Sequence, residues 1–376
     1  MESLIISKTG QCDNYCIYLA SQYFEQIDDY INLAFGCKRF KNNLDRYFYN
    51  PIPLTQQILS FFPFLRTQFI YDENDEILYD DKIQYYDVFY EIPYRKAKEM
   101  RNRKEMKGKQ IKFRKMYYSS YDLINMCDEK NISKNELKHI TIPNEVCRLT
   151  SGCFYECELL QSIDIPESAT NICSGCFGYC SSLTSINLPS NLTILPGCCF
   201  IECLSLSSIK IPDKVERIRD SCFFKCSSLE TVIIPSSVKN IENFSFSECT
   251  SLKEIELPEK LELLSRESFE YCNSLTRIIL STNIKIIESQ CFAECESLKE
   301  IEFKKNFDTS NISEEEKDII DNNCNKIKEW ILTFGIKDKN EVGCRRITIN
   351  IKEKEPFETI ETEEEIDNFE GNFLIY

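Results

Sequence analysis

The sequence predicts an α/β repeat solenoid of short parallel strands, closed by a helical N-terminal cap and a C-terminal helix cap. Three observations predict it. A Phe-x-x-Cys signal recurs seven times: Phe154–Cys157, Phe177–Cys180, Phe200–Cys203, Phe223–Cys226, Phe246–Cys249, Phe269–Cys272 and Phe292–Cys295. The step from Phe154 to Phe177 is repeated unchanged between every later pair of copies, with no insertion. Further apolar columns keep the same period, and a fixed period of this length marks one supersecondary unit stacked repeatedly.

The columns define the unit. Five residues before each Phe stands an aliphatic residue: Leu149, Ile172, Leu195, Ile218, Ile241, Leu264 or Ile287. Three after each Cys comes Leu, from Leu160 to Leu298, and then Ile163, Ile186, Ile209, Val232, Ile255, Ile278 and Ile301. Two residues on is another large apolar side chain, followed by Pro166, Pro189, Pro212, Pro235 and Pro258, with Ser281 breaking the column. The resulting Leu-x-x-Ile-x-Leu is a short strand whose alternate side chains face inward. Pro ends it, having no N–H for the ladder. The segment around Phe then turns the chain back. Burial stabilises by about 1.5–3 kcal/mol per large apolar side chain, but only if neighbouring coils cover both faces. Leu137, Ile140, Ile142, Pro143 and Val146 fit the template one period earlier, so the array runs over 137–303.

At these residues the chain resembles the BspA-like leucine-rich repeat family, whose unit reads roughly Leu-x-x-Ile-x-Leu-Pro-x-x-(Leu/Val)-x-x-Ile-x-x-x-Ala-Phe-x-x-Cys-x-x. The Ala before Phe is Cys here at 153, 176, 199, 222 and 291, and Ser at 245 and 268. The resemblance implies a leucine-rich-repeat solenoid and a non-enzymatic protein-binding scaffold. It also implies surface adhesion, since the family is known for cell-surface and host-matrix binding in bacteria and is expanded in parasitic protists.

Charge bounds the partners. The net charge of −16 and a pI near 4.8 argue against general nucleic-acid binding. The distribution is uneven: Arg95 to Lys115 hold eleven Lys/Arg against two Glu, while Glu353 to Glu370 hold nine acidic residues against one Lys. The basic stretch 95–115 could meet phosphates, an acidic lipid surface as a peripheral membrane contact, or the acidic tail. No apolar run reaches the ~20 residues of a membrane span. The opening Met1–Lys8 is too short an apolar stretch for a signal peptide. The expectation is a cytoplasmic protein, with surface association implied only by the resemblance.

Twenty-one cysteines invite a disulfide or metal reading. Cys249 and Cys272 persist where their neighbours have become Ser245 and Ser268, so no obligate pair exists within each coil. Equivalent side chains in a ladder point the same way, which disfavours bridges between coils. The expectation is a ladder of buried free thiols. Cys173-x-x-Cys176 lacks a second pair at zinc-site spacing, so neither metal nor cofactor is expected. His139 is the only histidine, which removes His-pair acid–base chemistry by count.

The flanks read as caps. Tyr15 to Gln26 and then Asp28 to Leu44 carry two helical patterns, closed by Asn50-Pro51-Ile52-Pro53. This gives a helical cap over 1–55. Asp28-x-x-Ile31-Asn32-Leu33 with Cys37-Lys38-Arg39-Phe40 also resembles the middle of an F-box, without its opening Leu-Pro pair. That resemblance implies an intracellular adaptor recruiting targets to a ubiquitin ligase. Residues 56–136 form a divergent transitional segment, with strand patterns at Phe69–Tyr71, Val88–Ile92 and Ile111–Tyr117, so stacking is expected to begin near residue 60. Ser313-Glu314-Glu315-Glu316 opens a capping helix carrying Trp330; Ile347, Ile349 and Ile351 alternate as a last strand within a C-terminal cap over 304–352. An acidic tail occupies 353–376.

A partner would meet the strand residues that lie between the inward columns. The first half of that row is small and polar (Ser162, Asp164, Ser185, Asn187, Ser208, Lys210). The second half is Thr231, Ile233, Glu254, Glu256, Arg277, Ile279, Glu300 and Glu302, and a protein partner is expected there.

Overall fold

The computed structural model describes residues 21–22, 24–36, 44–281, 284, 286–288, 290–304 and 347–348. The first helical pattern falls mostly outside them, as do the helix predicted from Ser313 and the acidic tail. The chain divides into two compact units, 1–117 and 118–376.

In the first unit, helix α1 (Ile27–Gly36) carries Asp28 and Asp29 in its first turn, where the helix dipole favours them. Strands β1 (Thr67–Ile70), β2 (Tyr85–Pro93) and β3 (Gln110–Tyr118) pair in parallel. Parallel stacking thus begins in this segment, as the strand patterns suggested. Its coils are irregular: Thr67 pairs with Tyr85 and Tyr85 with Gln110, a shorter step followed by a longer one, and neither matches the period of the array. Between β2 and β3 the basic stretch forms α2 (Tyr94–Asn102). The inward face holds Ile70, Val88, Tyr86, Met100 and Met106 against Tyr30, Tyr47 and Phe62.

The second unit opens with α3 (Ser120–Lys130), which sequence reading missed. Its signal is a capping box: Asp122 N–H donates to Ser119 Oγ and Ser119 N–H to the Asp122 carboxylate. Asn131 closes the helix in the left-handed conformation. The stacked coils follow. Short strands at 139–141, 162–164, 208–210, 231–233, 254–256, 277–281 and 300–304 carry the outward row. Where pairs form they are parallel and offset by one period, as Ser208 with Thr231 and Arg277 with Glu300. A second run of two-residue strands, from Ile194–Leu195 to Ile286–Ile287, pairs at the same offset. Ile347–Thr348 adds antiparallel to its last member. Where Ser281 replaces the usual Pro, the strand runs on through Ser281, which pairs with Lys304. The donor that Pro lacks is restored, and the ladder lengthens.

The Phe-x-x-Cys turns build the spine. All seven Phe rings are fully buried and stack face to face in sequence, with centroids 5.1 to 5.6 Å apart; Tyr118 extends the stack beyond Phe154 at 6.1 Å. The Phe peptides are held by the next coil through both N–H and C=O. Phe200 N–H donates to the Cys222 carbonyl at 2.8 Å, and the Cys226 thiol donates to the Phe200 carbonyl at 3.1 Å. The same thiol bond recurs from Cys180, Cys203, Cys249, Cys272 and Cys295 to Phe154, Phe177, Phe223, Phe246 and Phe269, at 3.1–3.2 Å. All sixteen described cysteines are free.

Two residues per turn adopt positive φ, the second before Phe and the second after it. Ser221 and Lys225 flank Phe223 at φ 55° and 60°; Gly152 and Gly175 supply the first of these positions in the opening copies. Each such non-glycine residue costs about 1–2 kcal/mol. Their amides offset part of it by bonding the next coil: Ser221 N–H donates to the Asn243 carbonyl and Lys225 N–H to that of Ser247, both at 2.9 Å.

The two serines that replace Cys before Phe are not equally accommodated. Ser245 donates to the carbonyls of Glu242 and Arg219, whereas the Ser268 hydroxyl is buried without a hydrogen-bond partner among the described residues. A buried unsatisfied hydroxyl costs about 1–3 kcal/mol. Ser268→Ala is therefore expected to raise unfolding stability by about 1 kcal/mol in denaturant melts, while Ser245→Ala lowers it by a similar amount. Equal effects at both positions would contradict this assignment.

Burial also sets a pH limit. It pushes the Cys157 thiol up to about 11 and that of Cys203 up to about 12, from an ordinary 9.0. Folded thiols stay neutral while unfolded ones ionise, so this contribution is complete below pH 9 and is lost as pH climbs towards 12. Denaturant stability measured stepwise between those limits is expected to fall; a flat profile would contradict the buried ladder.

Candidate partner-binding face

Short strands with one inward residue flanked by two outward ones place the candidate residues in register. Inward Val232, Ile255 and Ile278 are buried; Thr231, Ile233, Glu254, Glu256, Glu300 and Glu302 are exposed, and Arg277 and Ile279 half-exposed. Glu254, Arg277 and Glu300 form one cross-strand row, and Glu256, Ile279 and Glu302 the next. Thr231 and Ile233 belong to a strand bonded to 208–210, in a separate hydrogen-bonded sheet from 254–256. Ile233 is 54% exposed, the most open aliphatic side chain on this row.

Arg277 is the hub that sequence reading did not identify. Its Nη1 lies 3.6 Å from Glu254, its Nε 3.7 Å from Glu300, and its Nη2 2.9 Å from Glu302. The hydrogen bond to Glu302, reinforced by the other carboxylates, pushes the guanidinium pKa further up. One cation thus fixes three carboxylates on two strands. The signal was present in the sequence as an Arg one period from Glu on either side. Other faces repeat the device, with Lys239 on Glu216 at 2.9 Å and Lys253 on Glu230 at 2.7 Å. Exposed pairs of this kind contribute little to stability, typically under about 1 kcal/mol each.

The polar half of the row holds the lone histidine. His139 Nδ1 lies 2.9 Å from Ser162 Oγ and its Nε2 3.3 Å from Asp164, to which Thr141 donates at 3.0 Å. Serine, imidazole and carboxylate meet here, but on an open strand surface with all three side chains exposed. Ser162 N–H is already committed to the Lys138 carbonyl. A nucleophile needs a donor pair aimed at the developing oxyanion, and this amide does not supply one.

The basic stretch 95–115 lies in the first unit and is partly neutralised locally. Arg95 pairs with Glu99, Arg101 lies over the Phe113 ring, Arg103 donates to Tyr79 Oη, and Arg114 forms a two-pronged pair with Asp87. Of the F-box-like stretch, Asp28, Ile31, Asn32 and Leu33 lie on α1, and Cys37 to Phe40 fall outside the described residues. Among the described residues no helix is long and apolar enough to cross a membrane, and no group of three or more His, Cys, Asp or Glu side chains is placed to hold a metal ion.

A family model described as BspA type leucine rich repeat region matches residues 129–230 and 216–338, in six copies. No curated protein matches. Among solved structures, a leucine-rich repeat protein from Bacteroides ovatus is similar at 22% identity and TM-score 0.33, over 45% of this chain and 61% of that one. The match therefore spans about three fifths of that protein's length. A T. pallidum leucine rich repeat protein is similar at 23% identity and TM-score 0.34, over 46% of this chain and 71% of that one. A leucine rich cell surface protein from Faecalibacterium prausnitzii is similar at 17% identity and TM-score 0.33, over 64% and 80% respectively.

Proposed function

Because this chain belongs to the BspA-type leucine-rich repeat family, we infer that it is a non-catalytic scaffold whose outward strand row binds a protein partner. The observation that carries the reading is the register of Glu254, Arg277 and Glu300 beside Glu256, Ile279 and Glu302 on a backbone fixed by the spine. A rigid sheet holds side chains at strand spacing, so little ordering is left to be done on binding. The row combines an open Ile233, a half-exposed Ile279 and four carboxylates, three of them paired with one arginine. That composition suits a protein surface of opposite charge with an apolar centre. Adhesion at a cell surface is the finer form that the family suggests for the same scaffold.

Charge reversal tests the face. With Glu254, Glu256, Glu300 and Glu302 all changed to Lys, the proteins cross-linked to the native chain are expected to fall by tenfold or more, in line with roughly 1.4 kcal/mol or more of binding energy. Unchanged capture, with thermal unfolding also unchanged, would remove this face from consideration.

A further inference from the structure

The first unit carries a separate surface that the partner-binding reading leaves unused. Because β1, β2 and β3 run parallel, the residues that lead into each strand meet at one end of the sheet. Hydrogen bonds fix that row: Arg66 N–H donates to the Phe48 carbonyl at 2.9 Å, Gln84 N–H to that of Arg66 at 2.9 Å, and Gln110 N–H to that of Gln84 at 3.0 Å. Phe48 is 55% exposed, Phe64, two residues before Arg66, is 55% exposed, and Tyr85 is 43% exposed. Arg66, Lys82 and Lys107 are exposed on the same three lead-in segments. Asp80, Asp81 and Glu105 are the acidic neighbours on these segments, and the Asp80 carboxylate already accepts from the Lys82 amide. Lys109 turns inward to the carbonyls of Asp80 and Ile83, so it belongs to the fold and not to the surface.

Isolated exposed aromatics need no explanation, but three gathered on one sheet end and interleaved with cations do. Aromatic rings settle at the headgroup level of a bilayer, and each Lys or Arg near an anionic leaflet contributes about 1 kcal/mol. The charge of the whole chain does not forbid such an approach. Residues 1–117 hold 18 Lys/Arg against 16 Asp/Glu, and the excess of acid lies in 118–376, with 27 against 45.

We propose that this end of the β1–β2–β3 sheet docks peripherally on an anionic lipid bilayer. Phe48, Phe64 and Tyr85 enter the headgroup layer, and Arg66, Lys82 and Lys107 meet lipid phosphates and carboxylates. The contact is therefore centred on the strand lead-ins and not on the basic stretch as a whole, whose arginines are engaged locally.

Flotation of the full chain with vesicles tests this. Phosphatidylcholine vesicles containing about one third phosphatidylserine are expected to carry at least tenfold more protein than pure phosphatidylcholine at about 0.1 M salt. Phe64→Ser and Lys107→Glu, both at exposed positions, are each expected to lower that binding by roughly fivefold or more, with thermal unfolding unchanged. Absence of flotation on the anionic vesicles would overturn the proposal, and so would flotation indifferent to both substitutions. Binding to a heparin column that survives Phe64→Ser, without vesicle flotation, would show an acidic macromolecule to be the ligand and also overturn it.

Discussion

The peptide unit of the spine phenylalanines is gripped from the same side twice, its N–H by the next coil's carbonyl and its C=O by the next coil's thiol. The rest of the solenoid depends on this grip. The Phe residues are fully buried, so a backbone group left unbonded there would cost free energy comparable to a lost hydrogen bond. Around Phe223 the amides of Ser221, Phe223 and Lys225 all reach the next coil, and the intervening ones close local bonds, as Phe224 N–H does to the Ser221 carbonyl at 3.2 Å. With the turn over-determined, positive φ at Glu202, Lys225 and Glu248 is sustained without glycine. The Cys column stays constant because its Sγ is a small buried donor beside an apolar ring, and burial keeps it protonated.

A spine of this kind separates stability from recognition. The columns that hold the coils together face inward, so the outward positions are free to vary from coil to coil. That freedom produces a row that changes from His139, Ser162 and Asp164 at one end to Glu254, Arg277 and Glu302 at the other, on one kind of strand. Arg277 shows how such a row gains order at little cost. It fixes three carboxylates with one side chain, and their residual charge remains available to a partner.

The second unit was legible because its inward columns obey a strict period, and Phe154 through Cys295 sit where that period placed them. Even the break at Ser281 carried structural meaning, since restoring an N–H lengthened the strand. The first unit was legible only as separate strands. Its two coils, from Thr67 to Tyr85 and from Tyr85 to Gln110, differ in length and so erase the period while keeping parallel pairing. Helix α3 was missed for a different reason. Its apolar stripe, Leu123 and Cys127, is thin, and its start is marked by Ser119 and Asp122 alone. The outward row could be enumerated from strand alternation, but the Arg277 cluster required the register between coils. The positive-φ pairs left no trace, since residues as different as Glu, Lys, Tyr and Phe fill them.

The turns, as much as the strands, lock one coil to the next. Residue-resolved hydrogen–deuterium exchange tests it most directly. The amides of Phe177, Phe200, Phe223 and Phe246 are predicted to exchange as slowly as those of the strand residues Ile209, Ile233 and Ile255, at the rate of global unfolding. If the Phe amides exchange at loop rates while the strand amides stay protected, the spine is not what holds the coils in register.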